Sequence, residues 1–179
     1  MIDLNERAKE VHKANEKWWR DLETGEPIER NKGEFLMLVI SELAEAMEGE
    51  RKDLMDTHLP HRKMAEVEMA DAYIRLLDYA GGFDIDVSNV SIAWNAHKDF
   101  LLSQMYENKA ENLYDIVHVL EFETQTEQAM LIGSFLGIYA YCERFGYNLE
   151  GAYHEKMAYN ATREDHKHEA RMQANGKKF

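Results

Sequence analysis

Two pairs of carboxylates, Glu42-Leu43-Ala44-Glu45 and Glu68-Met69-Ala70-Asp71, have the residue types and spacing to hold a hard divalent cation. Residues three apart are neighbours on a helix surface, so each pair projects two carboxylates from one face. Two such faces packed together form an oxygen-only cage of the kind that suits Mg²⁺ or Mn²⁺ rather than zinc or copper. Glu23 with Glu26 and Glu45 with Glu48 show the same spacing, and the ordinary reading of such a pair is a solvated helix face. The pairs at 42/45 and 68/71 differ because they fall on consecutive helical patterns. Glu42 also lies inside the apolar arc of Phe35, Leu38, Val39, Leu43 and Ala46, where a carboxylate is costly unless it is paired or binds a metal. On the second pattern Glu68, Asp71, Arg75 and Asp78 cluster within about 80° of arc, between Met64, Val67, Ala72, Ile74 and Tyr79. Neither pair continues into the Glu-x-x-His of di-iron bundles, which leaves a ferritin-like or oxidase site as a minor alternative.

Further along, Lys156, Asn160 and Arg163 stand at i, i+4 and i+7, one helix face able to offer two cations and an amide to a phosphate chain. Its plain alternative is an amphipathic helix with a solvated basic edge. Arg51, Lys52, Lys177 and Lys178 are further phosphate candidates that serve equally well as surface charge. Near the start, Asn15 falls in the apolar stripe between Val11 and Trp18, with His12 and Trp19 alongside. Polar groups in a stripe need partners. A nucleobase would supply them, since aromatic rings stack and an amide both donates and accepts; backbone bonding of Asn15 with core packing of the tryptophans is the other reading.

Helices must position these groups. No segment alternates with period two, and the only prolines, Pro27 and Pro60, lie between helical patterns, so the chain reads as all-α. Helices are expected over residues 4–22, 32–48 with a stop near Gly49, from just after the loop 51–62 to a stop at Gly81-Gly82, 87–106, 126–145 and 149–165. The polar stretch 107–127 is expected to be helical only in part, through Tyr114 to Phe122, and residues 164–179 form a basic tail. The expected architecture is an antiparallel four- to five-helix bundle completed by a second subunit. A chain of 179 residues with 45% hydrophobic content suits one domain. Its net charge of -13 argues against nucleic acid or anionic membrane as a partner. The lone Cys142 forms no internal disulfide, the first twenty residues lack the apolar run of a signal peptide, and Ala129–Cys142 is too short to span a bilayer; a cytoplasmic protein is expected.

Taken together, His12-x-x-Asn15-x-x-Trp18-Trp19, Ser41-Glu-Leu-Ala-Glu-Ala-Met-Glu-Gly49, Glu68-x-x-Asp71, and Lys156-Met-Ala-Tyr-Asn160-Ala-Thr-Arg163 with the terminal Gly176-Lys-Lys-Phe179 resemble the MazG-like and dimeric dUTPase-like all-α nucleoside triphosphate pyrophosphohydrolases. The resemblance covers most of the chain, with 107–127 looking like an insertion. It departs at Ser41, where that family usually has a further Glu, and in the longer run from Glu164 to Asn175. It implies a single domain over 1–179 that hydrolyses a nucleoside triphosphate, a deoxynucleotide or a non-standard one, to the monophosphate and pyrophosphate. Glu42, Glu45, Glu68 and Asp71 would hold Mg²⁺, with Mn²⁺ as a substitute, and Glu45 or Glu42 would take the proton of the attacking water. Lys156, Asn160, Arg163, Arg75 and Lys177 would meet the phosphates; His12, Asn15, Trp18 and Trp19 would meet the base. A homodimer or homotetramer is implied as well. The alternatives are a phosphoribosyl-ATP pyrophosphohydrolase within the same superfamily, or a non-catalytic helical interaction protein whose acidic strip holds a structural cation.

Overall fold

The computed structural model describes residues 3–121 and 126–178, and these are all-helical, with no strand among them. Phe122 and Phe179 lie outside the described residues. Eight α-helices replace the expected four or five: α1 (Leu4–Asn15), α2 (Lys32–Lys52), α3 (Met64–Gly82), α4 (Asn89–Gln104), α5 (Lys109–Val119), α6 (Glu127–Phe145), α7 (Leu149–Thr162) and α8 (His168–Arg171). Short 3-10 turns occupy Glu16–Trp18 and Glu164–His166. No helix among the described residues is long and apolar enough to cross a membrane.

Helix α3 is the axis. Every residue from Ala65 to Ala80 is buried except Asp71 and Arg75, because α2, α1, α6 and α7 pack around it. The apolar core joins Phe35, Val39 and Leu43 of α2 to Met69, Leu76 and Leu77 of α3, and continues through Leu131, Phe135 and Ile138 of α6. Helices α4 and α5 both lie on α6. The polar stretch 107–127 thus carries a full helix, α5, whose Leu113 and Ile116 reach the core.

Three helix ends differ from expectation, each for a local reason. Helix α1 stops at Asn15 instead of Leu22. Downstream, the Asp21 carboxylate accepts from the amides of Glu23 and Thr24, and Arg20 bridges to Pro27 around Gly25, whose φ is 72°; such side-chain bonding to nearby amides competes with a helix. Helix α2 runs through Gly49 to Lys52. That glycine is a point of close approach, since a Cβ there would meet the Ala65 nitrogen and Met64 Cβ at 2.9 Å. Helix α7 ends at Thr162, and the expected basic tail folds back: Arg171 donates to the Lys17 carbonyl at 2.6 Å and His168 Nε2 lies 2.8 Å from the Leu22 carbonyl.

Candidate functional site

One cleft of about 440 Å³ opens where α2, α3, α7 and the segment after α7 meet. The walls are held by three clamps on α7. Arg62 joins Glu66 of α3 at 2.8 Å to Glu155 of α7 at 2.8 and 2.9 Å. The Asn148 amide donates to Glu66 Oε1 at 2.8 Å, and Arg7 makes a two-pronged pair with Glu150 at 2.6 and 2.8 Å. A further wall comes from the loop before α3, shaped by Asp56, which is buried and accepts from the His58 and Leu59 amides at 2.9 and 2.6 Å.

The cleft brings together Glu42, Glu45, Glu68 and Asp71 with Arg75, Lys156, Asn160, Arg163 and Lys177, and with Asn15 and Trp18. Carboxylate oxygens of Glu42, Glu68 and Asp71 all come within 4.8 Å of one another. Glu45 lies at the exposed rim, outside this trio. Ser41 also lines the cleft, and its hydroxyl donates to the Leu38 carbonyl of its own helix at 2.8 Å.

Their charges are unequally met. Arg75 Nε donates to Glu42 Oε1 at 3.1 Å, and Lys156, only 3% exposed, reaches Asp71 Oδ2 at 2.7 Å. Glu68, 5% exposed, accepts no hydrogen bond among the described residues. Burial, with the repulsion of Asp71, Glu42 and Glu45 added and only Lys156 opposing, pushes its carboxyl up to about 9. Asp71 is raised too, chiefly by burial, against the pull of Lys156. Lys156 itself is held above the usual lysine value, because Asp71 and Glu68 outweigh its desolvation. Three close carboxylates with one left unmatched fit a cation that takes oxygen ligands.

The cationic side is also paired internally. Arg163 donates through Nε and Nη2 to both oxygens of Asp165 at 2.8 Å, and Lys177 lies 2.9 Å from Asp165 Oδ2. These two cations hold the Asp165 carboxyl far below the usual range. Asn160 Oδ1 is buried without a hydrogen-bond partner.

His12 and Trp19 do not line the cleft. They turn to Asp78, which is 2% exposed and collects His12 Nδ1 at 3.0 Å, Trp19 Nε1 at 3.0 Å and Asn15 Nδ2 at 3.1 Å. Trp19 packs among Phe35, Phe83 and His12. Asn15 and Trp18 reach the cleft, but Trp18 is only 6% exposed, with the Arg171 guanidinium 4.0 Å from its ring centre. Arg51 and Lys52 pair with Glu48 instead of entering the cleft.

Sequence reasoning missed Asp56, His58, Asp165 and His166. The acidic pair Glu164-Asp165 set between Arg163 and His166 was the available signal, obscured by the expectation of a continuous helix there. Comparison with protein-family models, curated proteins and solved structures finds no match to this chain.

Proposed function

We propose that this protein is a divalent-cation-dependent nucleoside triphosphate pyrophosphohydrolase of the MazG-like all-α kind, releasing a monophosphate and pyrophosphate. The observation that carries this reading is the Glu68 carboxylate, buried without a donor beside Glu42 and Asp71, in the same cleft as Lys156 and Arg163. A structural role accounts for the neighbouring buried acids, since Glu66 accepts from Arg62 and Asn148 and Asp78 from His12, Asn15 and Trp19, but not for Glu68. The oxygen-only donor set fits Mg²⁺ or Mn²⁺, held by Glu42, Glu68 and Asp71 with Glu45 at the rim. Such an ion, when bound, polarises phosphate oxygens and makes water more acidic.

The chain's own groups would do the rest. Glu45, exposed at the mouth, takes the proton of the water that attacks the α-phosphorus. Pyrophosphate departs with the bridging oxygen, and Lys156, Arg163 and Lys177 meet its charge after exchanging Asp71 and Asp165 for phosphate oxygens. Arg75 stays on Glu42 and holds it against α3. Asn160 offers its unmatched Oδ1 to a hydroxyl or bound water. The substrate would be a deoxynucleotide or a non-standard nucleotide, with a base near Asn15. A homodimer or homotetramer is in keeping with the exposed Met37, Ile92 and Phe100. A reducing, cytoplasmic setting is in keeping with a free, buried Cys142.

Incubation with Mg²⁺ and a panel of ribo- and deoxynucleoside triphosphates, with EDTA controls and anion-exchange separation of products, tests the reading. Monophosphate plus pyrophosphate supports it, and diphosphate plus phosphate, or no product, overturns it. Glu45→Gln should abolish turnover while the protein stays folded; unchanged activity removes Glu45 from the mechanism. A second reading, a non-catalytic interaction protein, draws on the Lys156–Asp71 and Arg75–Glu42 pairs, which already neutralise two of the acids. Metal binding without any nucleotide-dependent stabilisation would favour it.

A further inference from the structure

His166 ends the 3-10 turn that follows α7, and its backbone amide donates to the Arg163 carbonyl at 3.2 Å. Its imidazole lines the cleft and stands edge-on to Trp18, with ring centres 5.2 Å apart and planes at 87°. Trp18 is sealed beneath Arg171, so it supports the imidazole and offers little face to a ligand. Neither ring nitrogen of His166 has a hydrogen-bond partner among the described residues. That sets it apart from the cleft's cations, Arg75, Lys156, Arg163 and Lys177, each of which already holds a carboxylate.

The surroundings decide its protonation state. Burial lowers the imidazole, and Arg163, Lys17 and Lys177 add to this, to about 4 despite Asp165. At neutral pH the ring is therefore uncharged, with one donor and one acceptor nitrogen. An uncharged ring contributes little to holding phosphate, which the neighbouring cations serve. It suits the edge of a neutral heterocycle that itself donates and accepts. Asn15 lies in the same cleft with its Nδ2 bound to Asp78, and its Oδ1, with no donor among the described residues, complements an N–H on such an edge.

We propose that His166 reads the nucleobase in this cleft, hydrogen-bonding the base edge from a ring braced by Trp18, and so sets which nucleotide is preferred. This rests on the nucleotide reading above. The test compares wild type with His166→Phe, which keeps the ring against Trp18 and removes both nitrogens, and with His166→Gln, which restores a donor and an acceptor. Binding of a panel of nucleoside triphosphates with Ca²⁺ in place of Mg²⁺, and of inorganic tripolyphosphate as a probe with no base, is measured by calorimetry on the full chain. The expected result is about tenfold weaker binding of the preferred nucleotide by His166→Phe, in line with the loss of one buried hydrogen bond. Tripolyphosphate binding stays unchanged, preference among bases is flattened, and His166→Gln recovers part of the loss. Unchanged preference in His166→Phe, or an equal loss for tripolyphosphate, overturns the assignment while leaving the nucleotide reading standing. Wild-type protein that binds no nucleotide better than tripolyphosphate overturns both. If His166→Phe fails to fold, His166→Gln and His166→Ala carry the same comparison, with a preference preserved in both counting against the assignment.

Discussion

Lys156 Nζ of α7 lies 2.7 Å from Asp71 Oδ2 of α3, one ion pair closing the acidic cluster from the opposite wall of the cleft. Both partners are largely withdrawn from water, so the pair serves as an internal counter-ion for carboxylates that also invite a metal. Lys156→Met should destabilise the metal-free protein by about 3–5 kcal/mol, the usual cost of leaving one member of a buried pair alone. Saturating Mn²⁺ should restore most of it. Chemical denaturation with EDTA and then with Mn²⁺ checks this, and an equal loss under both conditions would show that the lysine does not stand in for a cation.

Glu68 predicts a pH dependence. Its folded-state carboxyl is raised from the ordinary 4.5 to about 9, so the folded protein holds that proton more tightly than the unfolded chain does. The stabilising contribution is complete below about 4.5 and is lost as pH rises toward about 9. Metal-free wild type should therefore lose stability relative to Glu68→Gln between about pH 5 and about pH 8. Urea midpoints in EDTA measure it, and parallel profiles would refute it. Glu68→Gln should also abolish the rise in Tm that Mg²⁺ or Mn²⁺ gives the wild type.

Asp165 occupies the position of an anion between Arg163 and Lys177. Asp165→Asn frees both cations, and inorganic tripolyphosphate should bind several-fold more tightly, as expected when a competing charge-assisted pair is removed. The gain should shrink as ionic strength rises. Weaker binding would mean that Asp165 positions the two cations instead of competing with the ligand.

Asp78 organises the junction of α1 with α3. Asp78→Ala leaves His12, Asn15 and Trp19 without their shared acceptor and should cost on the order of 2–4 kcal/mol. Because Asn15 lines the cleft, nucleotide selectivity should loosen even at temperatures where the variant is folded. Thermal unfolding and binding titrations on the same sample separate the two effects.

The helical nature of the chain and the i, i+3 spacing of Glu42 with Glu45 and of Glu68 with Asp71 were legible in the sequence, because apolar periodicity and helix neighbours are properties of one helix alone; which carboxylates converge was not, since Glu45 stays at the exposed rim. Lys156 and Asn160 do stand one turn apart on α7, but Arg163 lies just past the end of that helix in extended backbone and reaches the same cleft from there. Helix ends were less legible: α3 does end at Gly82, as expected, but α2 runs on through Gly49, which answers to the close approach of Met64 and Ala65 at the start of α3. The strip of Glu68, Asp71 and Asp78 looked uniform. Only the tertiary structure divided it, giving Asp78 donors from His12, Asn15 and Trp19, giving Asp71 a lysine from α7, and leaving Glu68 with neither. A carboxylate's state is set by which donors reach it, and those of Asp78 come from residues 59 to 66 positions away. Local spacing can name the groups able to do chemistry, whereas packing decides which of them remain free to do it.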